Sequence, residues 1–211
     1  MFITLNAILL RIPAAFFALV LHEMVKARCS TWMGDPTPKK SGLLSGNPFK
    51  YLEPIGFIVA LVFGFGWGRP TPTSPIYYRD RQKGILITYV TPSLVNLFAG
   101  LTAAIAIGAF TMLFSQLAIA APFDTFVTWG IQFLLTFAHC SIAIAIFNLI
   151  PVHPLDASKL LQASLSPNAA IKMTQNEKLL QLVLMMLIIT RIISQIIDPI
   201  AGMLVRTALF W

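Results

Sequence analysis

Charge is what this sequence has least of. Only 11% of its 211 residues are Asp, Glu, Lys or Arg, where soluble domains carry about 25%. A water-soluble fold of this composition would need a far larger polar shell, and a mean hydropathy of +0.78 points the same way. The bilayer is the solvent that suits such a chain. Cysteine is scarce too. Cys29 and Cys140 lie far apart, in or beside apolar runs, so they read as small buried hydrophobes and not as a disulfide framework. The N-terminus lacks a basic leader, and Arg11 interrupts its first apolar run. A cleaved signal peptide is therefore not expected. No internal repeat or low-complexity tract appears. The net charge of +7 does not indicate nucleic acid, because the basic residues fall in short loops between apolar runs. That is the positive-inside pattern of membrane proteins.

What remains is a series of apolar runs. The first extends from Phe2 to Leu21 and continues as helix through HEMVKA. Arg11 within it reads as a snorkelling side chain or a partner inside the bundle. The run from Leu52 to Trp67 is short and rich in glycine, which predicts a short or re-entrant helix. Three prolines over 69–80, Pro70, Pro72 and Pro75, exclude regular helix there. The third run, Gly84 to Leu117, is long enough to span with a tilt or a kink near Pro92, and the fourth covers Phe123 to Ile150. The last, Leu179 to Phe210, contains Arg191 and Asp198, placed to pair on one helical face unless Pro199 breaks the helix. The expectation is an all-α polytopic membrane protein with about four full transmembrane helices plus one short or re-entrant helix. It forms a single membrane domain over 1–211.

Loop charge orients the chain. Loops 30–51, 69–83 and 151–178 carry ten of the fifteen lysines and arginines, whereas the connection at 118–124 has only Asp124. The first three are expected on the cytoplasmic side. The first and fourth helices then both end on that side, which brings His22 and Glu23 to the same membrane depth as Asp156. Trp32, Trp67, Tyr77, Tyr78 and Trp211, near the run ends, read as an interfacial aromatic belt.

His22-Glu23-Met24-Val25-Lys26 is one residue away from H-E-x-x-H, in which two histidines four apart on a helix face one zinc ion and the glutamate activates its water. Around it stand GDPTPKKSG, NPFKYLEPIG, FGFGWGRPTPTSP, the PSLVN of Pro92 to Asn96, and NLIPVHPLDASKLL. In these segments the chain resembles the site-2 protease family of intramembrane zinc metalloproteases, over about residues 15–165. A further C-terminal segment, 179–210, lies outside that core. The resemblance implies zinc as cofactor and the bacterial plasma membrane as location. It implies transmembrane segments of anchored regulators as partners, beside the lipid bilayer. It matches His22 and Asp156 to metal ligands, Glu23 to the catalytic base, and Asn96, Asn148, Pro151 and Pro154 to cleft and structural positions.

Three residues depart from the family pattern: Lys26 for the second histidine, Ala157 for a glycine after the aspartate, and Thr91 for a glycine before Pro92. A lysine ligates metal only after losing its proton, at a reference pKa of about 10.4. Its ammonium at this position would instead offset Glu23 or Asp156. His153 is a possible substitute nitrogen, although Pro151 and Pro154 restrict its loop. His139 reads as a satisfied bundle histidine. The expected function is a catalytically impaired homologue that binds transmembrane segments or membrane partners. The alternative is an active protease with an altered ligand set.

Overall fold

A computed structural model describes residues 5–117 and 124–209, so the connection at 118–123 and Trp211 lie outside it. The described chain is helical, with no strand. Its α-helices are α1 (Leu5–Trp32), α2 (Thr37–Lys40), α3 (Pro54–Phe63), α4 (Arg81–Leu117), α5 (Asp124–Phe147), α6 (Asp156–Ser164), α7 (Pro167–Gln175), α8 (Glu177–Ile189) and α9 (Ile192–Ala208). Among the described residues α1, α4 and α5 are long and apolar enough to cross a bilayer, and α8 with α9 makes a fourth span if the bent pair counts as one. The chain is thus an all-α polytopic membrane protein.

Helices α1, α4 and α5 pack against one another, with α9 against α4 and α5. Lipid tails are as apolar as leucine, so close contact and not hydrophobicity must hold such helices together. The packed faces accordingly carry small residues: Ala14, Ala15 and Ala18 on α1, Ala104 on α4, Ala138 and Ala143 on α5, all fully buried. Gly100 marks a close approach of α4 to α5. A Cβ there would stand 2.6 Å from Ile142 Cγ1 and 2.8 Å from the Ala138 carbonyl oxygen. Leu86, Leu94, Phe98 and Ile105 instead point outward from α4, a stripe suited to lipid.

The short apolar run behaves as its glycines predict. Pro54 opens α3, with the Glu53 side chain accepting from Gly56 N. Gly64 closes it in the left-handed conformation, at φ 83°. Ten residues of helix rise only about 15 Å, half the hydrocarbon thickness. The chain then returns extended through Gly66 and Gly68, and Arg69 N donates to the Tyr51 carbonyl at 2.8 Å, so entry and exit adjoin. Arg11 supplies what a helix ending at that depth lacks. Its Nη1 donates to the free carbonyls of Leu61 and Val62 at 3.3 and 3.1 Å. Arg11 is a bundle partner and does not snorkel.

Other expectations are corrected. The last apolar run is not one helix. It bends by 65° between α8 and α9, and the break falls at Arg191, whose φ is 61°, while Pro199 sits inside α9. Arg191 therefore caps α9 and forms no ion pair with Asp198. Trp67 stacks on Phe147 and Tyr78 is buried with its hydroxyl on Ser30 Oγ at 3.1 Å, so neither belongs to an interfacial belt. Trp32 and Tyr77 are exposed.

A polar knot joins the end of α1 to the segment before α4. Buried Asp35 accepts from Ser30 Oγ and Ser74 N through Oδ2, and from Thr37 N through Oδ1. Burial pushes its carboxyl upward, but the hydrogen bonds from Thr37, Ser74 and Ser30 outweigh that and hold it below the ordinary carboxylate range.

Candidate functional site

Helix geometry places His22, Glu23 and Lys26 on one side of α1, since residues three and four apart are neighbours on a helix surface. The chain after α5 turns sharply at Asn148, whose carbonyl accepts from Ala157 N at 3.0 Å. That turn sets Asp156 as the first residue of α6, pointing back at α1. The four side chains are buried together, each residue between 2% and 4% exposed.

Lys26 Nζ stands at the centre. It is 2.7 Å from Glu23 Oε1 and 2.7 Å from Asp156 Oδ1. His22 Nε2 donates to the other Asp156 oxygen, Oδ2, at 3.0 Å. Glu23 Oε2 accepts from Thr71 Oγ1 at 2.8 Å and from Thr71 N at 3.2 Å. Every carboxylate oxygen in the cluster thus has a charged or hydrogen-bonding partner. Burial would raise the Asp156 carboxyl, but the Lys26 ammonium, then His22, reverse this and keep it below the ordinary range. Unpaired, either carboxylate would be costly at this depth.

Thr71 is the site residue that sequence reasoning did not single out. It lies within the FGFGWGRPTPTSP segment, and the signal was its place on the return limb of a re-entrant hairpin. The same limb brings Gly68 against Glu23: a Cβ there would approach Glu23 Cγ to 2.5 Å and the Tyr51 carbonyl oxygen to 2.8 Å. Asn96 ties α4 to α1 beside the site, its Nδ2 donating to the Ala18 carbonyl at 3.1 Å. Asn148 Nδ2 caps its own helix at the Ile144 carbonyl. Pro151 is exposed and Pro154 half-buried in the turn leading to Asp156.

His153 is not brought to the cluster. Its Nε2 pairs with Glu177 Oε1 at 2.9 Å, at the start of α8. Burial and nearby Lys159 lower its imidazole against the upward pull of Glu177. His139 faces Gly64, at the end of α3. Ala157 carries no strain, because it lies in the first turn of α6 and the one positive-φ residue other than glycine among those described is Arg191. Thr91 bonds the Cys29 side chain, a contact between α4 and α1.

The zinc implied by the sequence resemblance does not fit these residues as they stand. A divalent ion needs lone pairs from His22 Nε2 and Asp156. Here the Nε2 position bears the hydrogen that faces Asp156, and an ammonium sits between the two acids. Among the described residues no group of three or more His, Cys, Asp or Glu side chains is gathered as a metal site.

Phe17, Val20, Leu21 and Met24 of α1 and Phe133, Leu134 and Phe137 of α5 line an apolar groove of about 400 Å³. With 3.6 residues per turn, these α1 positions lie on the side of the helix turned away from His22 and Lys26.

Comparison with known proteins agrees with this architecture. The family model described as Peptidase family M50 matches residues 6–191. A protein of Bacillus subtilis (strain 168), described as "Putative zinc metalloprotease YwhC", is 32% identical over 182 residues, which is 85% of this chain and 80% of that one. No solved structure matches the chain.

Proposed function

The chain belongs to the site-2 protease family, peptidase family M50, and from that membership we propose that it is a catalytically impaired homologue, one that receives apolar transmembrane segments in the bacterial plasma membrane without cutting them. A single observation carries this reading: Lys26 Nζ bridges Glu23 and Asp156 at 2.7 Å each. Proteolysis of this type needs a glutamate free to take a proton from water. Glu23 has one oxygen on a fixed cation and the other on Thr71, so both of its oxygens are already engaged. What survives is the binding part of the fold. The groove between α1 and α5, on the side of α1 turned away from the cluster, is lined by apolar side chains suited to a helix from the bilayer.

The test uses the purified full-length chain. Zinc content is measured in the wild type, alongside cleavage of a reporter with a single apolar span. Crosslinking of that span from a photoreactive residue at Phe17 is followed in vesicles. The expected result is crosslinking without cleavage and without bound zinc. One zinc per chain, lost in His22→Ala, together with cleavage of the reporter, would establish the alternative, an active protease with an altered ligand set.

A further inference from the structure

A primary ammonium and a divalent metal ion make the same demand of a protein. Each is stabilised by anionic oxygen donors that converge on it. Lys26 meets that demand from its own helix. Its Nζ contacts one oxygen of each acid, and no binding equilibrium is needed because the cation is covalently attached. Position 26 lies four residues after His22, so a side chain there projects from the same face as the imidazole.

Two features of the surroundings do not involve Lys26. Glu23 is held from the opposite side by Thr71, through both the backbone N and the hydroxyl. His22 Nδ1 is buried without a partner. Moving the imidazole proton from Nε2 to Nδ1 would therefore break only the bond to Asp156, the bond a metal at Nε2 would replace. The histidine is tautomerically free in the direction metal binding requires.

We infer that the Lys26 ammonium is the resident cation of this site, standing at the metal position, and that the shell around it remains a zinc-binding shell lacking one ligand, so that Lys26→His alone converts it. The inference rests on the reading of Lys26 given above and fails separately from it.

Wild type, Lys26→His and Lys26→His/Asp156→Asn are equilibrated with zinc in detergent, desalted and assayed for metal per chain. Cobalt(II) is used in parallel, because tetrahedral coordination gives visible d–d bands. The expected result is one zinc per chain and a tetrahedral cobalt spectrum in Lys26→His, no retained zinc in the wild type, and an affinity at least about tenfold weaker in the double variant. A folded, monodisperse Lys26→His that binds neither metal, beside a zinc-free wild type, overturns this inference alone. Zinc retained by the wild type at one per chain overturns the parent reading. If Lys26→His does not fold, Lys26→Ala serves, since it opens an ammonium-sized hole between the acids. Added ethylammonium is then expected to raise its thermal midpoint and leave that of the wild type unchanged. The absence of any differential response rules the resident-cation assignment out.

Discussion

Lys26 is buried between two acids, and removing its charge leaves both uncompensated. Truncating one partner of such a buried cluster costs about 3–5 kcal/mol. Lys26→Met is thus expected to unfold at markedly lower temperature than the wild type in the same detergent, although methionine fills nearly the same volume. An unchanged midpoint would show that the Lys26 charge contributes nothing to stability. Gly68 is constrained for a steric reason. The Cβ of Gly68→Ala would press on Glu23 Cγ and the Tyr51 carbonyl oxygen, and overpacking of this kind costs about 1–3 kcal/mol. The variant is expected to lose that much on denaturant unfolding. Exposed Gly46, with nothing near its would-be Cβ, lacks that steric conflict. His22 and Glu23 were legible in the sequence because charge inside an apolar run is expensive, and Asp156 was legible from loop charge and from the resemblance carried by NLIPVHPLDASKLL. The role of Lys26 was legible only as a question of charge balance. Thr71 was not singled out, since its partner Glu23 is 48 residues away and a threonine in a proline-rich segment carries no periodic signal.

At the level of elements, α3 is the one that most needs support, because it stops within the bundle. Arg11 satisfies two of its terminal carbonyls and its charge opposes the negative end of the helix dipole. Arg11→Leu leaves those carbonyls without a donor, at a cost of about 1–3 kcal/mol. The expected readout is a lower thermal midpoint for Arg11→Leu, with partial recovery in Arg11→Lys, which keeps a donor and a charge. The Asp35 knot fixes a different junction, between α1 and the segment that leads to α4. Its carboxyl is held below the ordinary range in the folded state, against about 3.9 when unfolded. Its contribution to stability is therefore present above about pH 4 and disappears as pH falls through the lower folded-state value. Unfolding measured across that acid range is expected to show a steeper loss in wild type than in Asp35→Asn, which should already be less stable at neutral pH. The short run of α3 was visible in the sequence from its length and glycines. The break at Arg191 was not, because nothing local marks an arginine for positive φ; the sequence favoured Pro199, which lies inside α9 without ending it.

For the whole molecule, the arrangement of α1, α3 and α5 requires loops 30–51 and 69–83 to emerge on one side, with 151–178 beside them. Single cysteines at Lys40, Lys83 and Lys172, all exposed positions, report on this in a background where Cys29 and Cys140 are replaced. All three are expected to react with an impermeant thiol reagent from the cytoplasmic side only. Labelling of any one from outside intact cells would overturn the topology.

The sequence by itself determined that this chain belongs in a bilayer, that its runs are helices, and that distant parts of it converge on His22 and Asp156. Those conclusions follow from composition, run length and loop charge, which are properties of segments. Only the tertiary structure decided what occupies the point of convergence. Whether Lys26 turns to solvent, to a metal shell or to the two acids depends on where α6 begins and where the limb carrying Thr71 returns. Neither position is encoded within four residues of Lys26. With those elements in place, an ammonium held 2.7 Å from each carboxylate is the arrangement that leaves neither acid unpaired.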